Sequence, residues 1–102
     1  METQIQNSIC DYLALRKHFY TRINTAGIFS VKRQSFLKRS PHSKNGMSDI
    51  LCVHIGRPYF LEVKTAIGKQ SPEQKQFQLD VEKAGGIYAV VRSIEDVQTL
   101  GL

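Results

Sequence analysis

Residues 46–65 read GMSDILCVHIGRPYFLEVKT, and this stretch decides the fold. Two apolar runs rich in β-branched and aromatic residues, 49–55 and 59–65, lie on either side of a short Gly/Pro segment, which is the pattern of a β-hairpin. Both faces of both runs are largely apolar. We therefore expect two strands in the middle of a sheet that is covered on both sides.

Charged side chains interrupt this hairpin at its open end. Glu62 and Lys64 lie two residues apart on the second strand, so they project from the same face. Asp49 opens the first strand, and its face depends on the turn. A two-residue turn at Gly56-Arg57 would pair residue 55 with 58, 51 with 62 and 49 with 64, which brings the three charges to one face. An odd turn without a bulge would place Asp49 on the opposite face.

These three residues suggest a chemistry. Buried strands exclude charges unless the charges are paired or used, because removing an ion from water is costly. Mg²⁺ or Mn²⁺ prefers a few carboxylate oxygens and retains waters, so Asp49 and Glu62 suit phosphoryl transfer with a divalent metal. Lys64 would orient the attacking water or stabilise the developing charge. The alternative is a structural ion-pair cluster.

A helix and two strands are expected before the hairpin. Apolar residues at helical spacing predict an amphipathic helix from Glu2 to about His18. Residues 19–23 and 28–31 have the composition of strands and flank a turn.

A second helix follows the hairpin, with clear signals at both ends. Ser71-Pro72-Glu73-Gln74 combines an N-cap, a proline at the first helical position and a capping box, and Gly85-Gly86 ends the helix. Residues 87–91 then form a buried strand, and Ser93 caps a short last helix. This order of elements predicts an α/β fold, with a central mixed sheet flanked by helices.

Composition places the chain among ordinary globular domains. Its 102 residues suit a single domain, 1–102, and 41 % of them are hydrophobic. The first ten residues lack the charge and the apolar run of a signal peptide, and no apolar run reaches membrane-spanning length. We therefore expect a cytoplasmic protein without membrane partners. In such a reducing compartment, Cys10 and Cys52 would be buried thiols, and the three histidines lack zinc-site spacing.

Positive charge is concentrated in one segment. Fourteen Lys and Arg face nine Asp and Glu, which gives a net charge of +5. Residues 31–44 carry five basic side chains and no acid, so the charge of this segment equals the net charge of the whole chain. The five are Lys32, Arg33, Lys38, Arg39 and Lys44. Such a segment predicts contact with a polyanion such as DNA, and the alternative is a solvated surface loop.

Three motifs together resemble a known nuclease family. Residues 46–49 (GMSD), 62–64 (EVK) and 71–74 (SPEQ) resemble the PD-(D/E)XK nuclease superfamily, and within it the VRR-NUC branch. Ser48 stands where the superfamily's nominal proline does, a common variation that leaves the acid in place. Glu2 and Gln6 and the strand at 89–93 also match the branch, so the resemblance covers essentially the whole chain. The chain is similar to stand-alone members from phages and bacteria. This similarity implies that the protein works in the cytoplasm of a bacterial or phage-infected cell.

This resemblance implies a restriction-endonuclease-like fold and a metal site. Asp49 and Glu62 would be metal ligands, and the carbonyl of Val63 would complete the set. Lys64 would be the catalytic lysine.

Two further site residues are implied from the helices. Glu2 would add an acid that reaches the metal from the first helix, and Gln74 would join the site from the second. Each has a structural alternative. Glu2 suits the positive end of a helix, and Gln74 suits a capping box.

The expected function is hydrolysis of DNA phosphodiester bonds by a Mg²⁺- or Mn²⁺-dependent endonuclease without an organic cofactor. The family includes resolvase-like homodimers, which favours a dimer that acts on branched, flapped or Holliday-junction DNA. The outer apolar residues Phe19, Ile28 and Phe29 are candidates for the dimer surface. The first alternative is a catalytically silent nucleic-acid-binding module, which has no need of a buried acid pair. A non-enzymatic interaction protein is the second, and it does not account for the basic segment.

Overall fold

The fold is a mixed sheet with helices on both faces, and a computed structural model describes it over residues 2–23 and 46–102. The elements of this part of the chain are α1 (Glu2–Leu15), β1 (Phe19–Arg22), β2 (Ile50–His54), β3 (Arg57–Val63), α2 (Pro72–Lys83), β4 (Ile87–Val91) and α3 (Ile94–Thr99). The strands lie in the order β1-β2-β3-β4. β2 is antiparallel to both β1 and β3, whereas β4 is parallel to β3. The predicted mixed sheet flanked by helices is confirmed.

The segment between β1 and β2, residues 24–45, lies outside the described residues. The predicted strand at 28–31, with Ile28 and Phe29, falls there, and so does the basic segment. Those basic residues are Lys32, Arg33, Lys38, Arg39 and Lys44. In the ranges that the structure does describe, none of the helices combines the length and apolar character that crossing a membrane requires.

The β2–β3 hairpin turns at Ile55-Gly56, so the predicted turn at Gly56-Arg57 is wrong by one residue. His54 pairs with Arg57, and the two turn residues have φ of 50° and 76°. Positive φ at both positions is typical of a type I′ turn, whose twist matches that of the strands. Arg57 precedes Pro58, and a residue before proline is restricted to extended conformations. Arg57 therefore joins β3, and the turn lies one residue earlier.

This turn still has two residues, so the three charged side chains lie on one face of the sheet, as predicted. Ile50 pairs with Leu61, and Asp49, one residue earlier, lies beside Glu62 rather than opposite Lys64. The pairing differs from the predicted one by two residues. Because side chains alternate with a period of two, Asp49, Glu62 and Lys64 remain on the same face.

The larger core lies between the sheet and helices α1 and α3. Its fully buried side chains are Ile9, Leu13, Ile50, Leu61, Val63, Val91, Val97 and Leu102. Cys10 and Cys52 are buried in the same core as free thiols, as the sequence predicts. Helix α1 ends at Leu15, before the expected His18, because Lys17 adopts a left-handed φ of 62° and stops it.

A smaller core lies on the opposite face, beneath α2. Phe77 and Val81 of α2 pack against Phe60 and Tyr88 of the sheet. The Phe77 ring centroid lies 5.5 Å from that of Phe60 and 6.0 Å from that of Tyr88. Glu62 is two residues from Phe60 and projects from the same face. The charged residues therefore lie on the side of the sheet that α2 covers.

Helix α2 begins and ends where the sequence predicts. Ser71 Oγ accepts a hydrogen bond from the Gln74 N–H at 3.1 Å, and Gln74 Oε1 accepts one from the Ser71 N–H at 2.9 Å. This is a complete capping box. Gly85, with φ of 94°, follows the helix. The first turn of α2 is thus held by its own side chains.

Gly46 brings the chain before Asp49 against the start of α2. Its φ is +72°, and a Cβ at this position would lie 2.3 Å from the Glu73 carbonyl oxygen and 2.7 Å from the Gln74 nitrogen. These are main-chain atoms of a helix, which cannot move aside easily. A glycine at this position therefore lets the loop that carries Asp49 pack directly on the helix that carries Gln74.

Gly46→Ala should lower the free energy of unfolding much more than Gly56→Ala. The two glycines have φ of +72° and +76°, but no atom lies within 4 Å of a Cβ at Gly56. Both substitutions cost about 1–2 kcal/mol of left-handed strain, and the clash at Gly46 adds about 1–3 kcal/mol. Urea denaturation of both variants measures the difference. Equal losses would contradict the close approach of Gly46 to α2.

Candidate active site

The two carboxylates predicted as metal ligands lie side by side at the end of β3, and both residues are buried. Asp49 is 8 % exposed and Glu62 is 3 % exposed. The Asp49 N–H donates to the Leu61 carbonyl at 3.1 Å, and Asp49 Oδ2 accepts from the Val63 N–H at 2.9 Å. Asp49 therefore extends the pairing of β2 with β3 by one main-chain hydrogen bond to Leu61 and one side-chain hydrogen bond from Val63. These bonds hold its carboxylate beside Glu62.

Glu62 has one carboxylate oxygen engaged and one unpartnered. Its Oε2 accepts from Gln74 Nε2 at 2.9 Å and lies 3.6 Å from Lys64 Nζ. Its Oε1 is buried and has no hydrogen-bond partner within residues 2–23 and 46–102. Leaving a buried acceptor unpaired costs stability, and such atoms are uncommon away from ligand sites. The arrangement suits an oxygen that binds a cation.

Gln74 fits both interpretations that the sequence left open. Its Oε1 completes the capping box of α2, while its Nε2 donates to Glu62. One amide thus joins the first turn of the helix to the acid pair. Gly46 contacts the same turn, so the loop before Asp49 and the amide that holds Glu62 have a common support.

Burial and neighbouring charge favour the protonated form of Glu62. They raise the pKa of this carboxyl from an ordinary 4.5 to about 8. Burial is the largest cause, the Asp49 carboxylate comes second, and the Lys64 ammonium acts in the opposite direction. A bound divalent cation would reverse this balance, because it attracts both carboxylates. The hard oxygen donors of the pair fit Mg²⁺ or Mn²⁺.

Glu2 lies at the margin of the site. It is the first residue of α1 and is exposed, and its charge is the smallest contribution to the raised pKa of Glu62. Across the two described ranges, no three His, Cys, Asp or Glu side chains gather as a possible metal cluster. Glu2 therefore stands apart from the Asp49–Glu62 pair here, and its role as a ligand stays a prediction. Gln6, one turn further along α1, is buried.

Tyr88 is a neighbour of the acid pair that the sequence analysis missed. It pairs with Phe60 across the parallel β3–β4 ladder, so it lies on the same face as Glu62. Burial, with contributions from the charges of Glu62 and Asp49, raises the pKa of Tyr88 to about 12, and the nearby Gln70 amide acts in the opposite direction. In the sequence, the signal for this residue is a phenol in an otherwise aliphatic strand. Its position near Glu62 depends on the register of β4 against β3, which only the folded sheet shows.

Two solved structures have the same architecture as this chain. One, named "VRR_NUC domain", is 23 % identical with a TM-score of 0.68, and the match covers 97 % of this chain and 91 % of that one. The chain has the VRR-NUC fold. A second structure, named "VRR_NUC domain protein", is 18 % identical with a TM-score of 0.68, and the match covers 97 % of this chain and 83 % of that one. No family model matches the chain, and no curated protein matches it.

The expected PD-(D/E)XK-like architecture is thereby confirmed. Within this VRR-NUC fold, four of the residues singled out in the sequence come together: Asp49, Glu62, Lys64 and Gln74. Val63 is buried directly between Glu62 and Lys64, with its N–H on the Asp49 carboxylate. The chemical roles of these residues stay predictions.

The metal-free protein should lose stability as the pH rises towards 8. Between pH 4.5 and about 8, the folded chain holds one proton on Glu62 that the unfolded chain has released, so raising the pH favours unfolding. Relative to Glu62→Gln, the free energy of unfolding should fall by up to about 1.4 kcal/mol per pH unit. Urea titrations of both proteins in EDTA, from pH 5 to 8.5, measure this. A difference that does not change with pH would contradict the raised pKa.

Proposed function

We propose that this chain is a metal-dependent nuclease that hydrolyses phosphodiester bonds in DNA. The observation that carries this proposal is the buried acid pair beside an ammonium: Asp49 and Glu62 lie together, Glu62 Oε1 is unpartnered among the described residues, and Lys64 is 3.6 Å from Oε2. The VRR-NUC fold supports it. A silent DNA-binding module would gain nothing from two adjacent buried carboxyls, because keeping acids out of water costs stability and adds no positive charge for DNA.

Mg²⁺ or Mn²⁺ is the cofactor that these donors fit. Asp49, Glu62 Oε1 and the carbonyl oxygen of Val63 would hold the ion, since hard divalent cations select oxygen ligands. Such an ion, when bound, polarises a phosphoryl oxygen and makes a coordinated water easier to deprotonate. Glu2 is proposed as an additional acid from the first turn of α1.

The residues around the acid pair have distinct tasks in this proposal. Lys64 has a side chain only 14 % exposed, so its charge is poorly screened by water. We infer that it orients the attacking water and stabilises the charge that develops on the phosphate as one P–O bond forms and another breaks. Gln74 donates to Oε2 of Glu62 and thereby keeps Oε1 available. The Val63 N–H fixes the Asp49 carboxylate in the same way.

Asp49→Asn, Glu62→Gln and Lys64→Ala should each reduce DNA cleavage by about 100-fold or more, because each removes over about 2.7 kcal/mol of transition-state stabilisation. DNA binding should persist, since it depends chiefly on basic side chains. Single-turnover cleavage with Mg²⁺ or Mn²⁺ is the measurement, with circular dichroism to show that each variant is folded.

Glu95→Gln is the matched control, because Glu95 is an exposed acid on α3. This variant should cleave like the parent protein, whereas loss of cleavage in the three site variants, purified in the same way, excludes a contaminating nuclease. Parent-like cleavage by Glu62→Gln would rule out the site as placed here.

We further propose that the active form is a two-fold homodimer that prefers branched DNA. One site cuts one strand per encounter, and a two-fold dimer would present two equivalent sites and double the net charge of +5. β1 is the first strand of the sheet order, and its Phe19 is 70 % exposed. A large exposed aromatic side chain on the outermost of the described strands suits a contact with another protein chain.

Light scattering at micromolar concentration should give twice the monomer mass, and a four-way junction should be cleaved faster than linear duplex. Phe19→Ser should shift the protein towards monomer if β1 contributes to the interface. Leu79→Ser, which alters an exposed residue of α2, is the control and should not. A monomeric parent protein that cleaves both DNAs equally would refute the dimer and the preference, while leaving the acid-pair proposal intact.

A further inference from the structure

A tight turn follows Lys64 directly. The Gly68 N–H donates to the Thr65 carbonyl at 3.1 Å, which closes a four-residue turn over residues 65–68. Ile67 in this turn is 88 % exposed, so packing in the core does not hold it. A turn with so little burial depends on hydrogen bonds for its order.

Arg92 supplies those hydrogen bonds from the residue after β4. Its Nη1 donates to the carbonyl of Thr65 and, at 2.9 Å, to the carbonyl of Gly68. Its main-chain N–H donates to Asp96 Oδ2 at 2.8 Å, which fixes Arg92 to the first turn of α3. A guanidinium is planar and rigid, so one group that spans two carbonyls sets their separation.

The clamped turn packs on the stem of Lys64. A Cβ at Gly68 would lie 3.3 Å from Lys64 Cδ and 3.4 Å from Lys64 Cβ, so Gly68 faces the lysine methylenes across a gap too narrow for a methyl group without a small shift. The Lys64 N–H donates to the Val91 carbonyl at 3.1 Å. Lys64 is therefore held at its main chain by β4 and along its stem by the turn, while its ammonium faces Glu62.

We propose that Arg92 is a positioning residue for Lys64, acting through the turn at residues 65–68. The proposal rests on the function proposed for Lys64. A free lysine side chain samples many rotamers, and the turn limits this sampling to conformations in which Nζ reaches Glu62. Small displacements of a reacting group lower rates steeply, so loosening the clamp affects the chemical step rather than DNA binding.

Arg92→Met keeps the stem of the side chain and removes its donors. It should lower the single-turnover rate by about 10- to 100-fold, with unchanged DNA affinity and salt dependence in Ca²⁺. Arg57→Met is the matched control, because Arg57 Nη2 also donates to an exposed main-chain carbonyl, that of Gly85 at 3.5 Å, beside the far end of the hairpin. It should leave the rate unchanged.

A double-mutant cycle separates positioning from general support of the fold. If Arg92 acts through Lys64, Arg92→Met should have no further effect in the Lys64→Ala background. An equal loss in both backgrounds would overturn the proposal. Weaker DNA binding with a smaller salt dependence would also overturn it, because Arg92 would then be a phosphate contact.

The closing measurement does not depend on cleavage. Side-chain ¹³C relaxation of Lys64 should show increased motion of its Cδ and Cε in Arg92→Met and not in Arg57→Met. If the parent protein fails to cleave DNA, the proposed function fails, but an ordered Lys64 that loosens in Arg92→Met still supports the clamp. A Lys64 side chain equally ordered in the parent and both variants would refute it.

Discussion

Two carboxyl groups, those of Asp49 and Glu62, are buried next to each other where β2 begins and β3 ends. Burial, followed by the neighbouring Asp49 carboxylate, raises the pKa of Glu62, so ionising this carboxyl in the folded chain is costly. The surrounding structure offsets part of this cost with donors from three sources: the Val63 N–H of β3, the Gln74 amide of α2 and the Lys64 ammonium. The site persists because separate elements converge on it.

The helix start makes this convergence possible. The capping box of α2 leaves the amide nitrogen of Gln74 free for Glu62 while its oxygen completes the cap. Gly46 lets the loop before Asp49 approach the same turn to a distance that a Cβ would forbid. The first turn of α2 thereby sets the distance between the loop that carries Asp49 and the Gln74 amide that holds Glu62. A shift in either contact would move the two carboxyl groups relative to each other.

The acid pair is also the observation on which the proposal of catalysis, rather than of binding alone, rests. A DNA-binding surface needs accessible positive charge, whereas this chain keeps two acids out of water beside a largely buried lysine. In the proposed mechanism the order of Lys64 matters, because its ammonium opposes the rise in the Glu62 pKa that burial and Asp49 cause. Its stem is packed under a turn that Arg92 clamps.

The sequence by itself determined the parts that depend on neighbouring residues. These include the start of α2 at Ser71, the two central strands and, through the period of two, the common face of Asp49, Glu62 and Lys64. The turn at Ile55-Gly56, one residue before the predicted position, is also encoded locally, because Pro58 restricts Arg57 to an extended conformation. Only the tertiary structure decided the hydrogen bond of Gln74 to Glu62, the place of Tyr88 near the acid pair and the contacts of Arg92 with the turn after Lys64. Those contacts join residues distant in the chain, and their geometry depends on strand register and helix packing rather than on local preference.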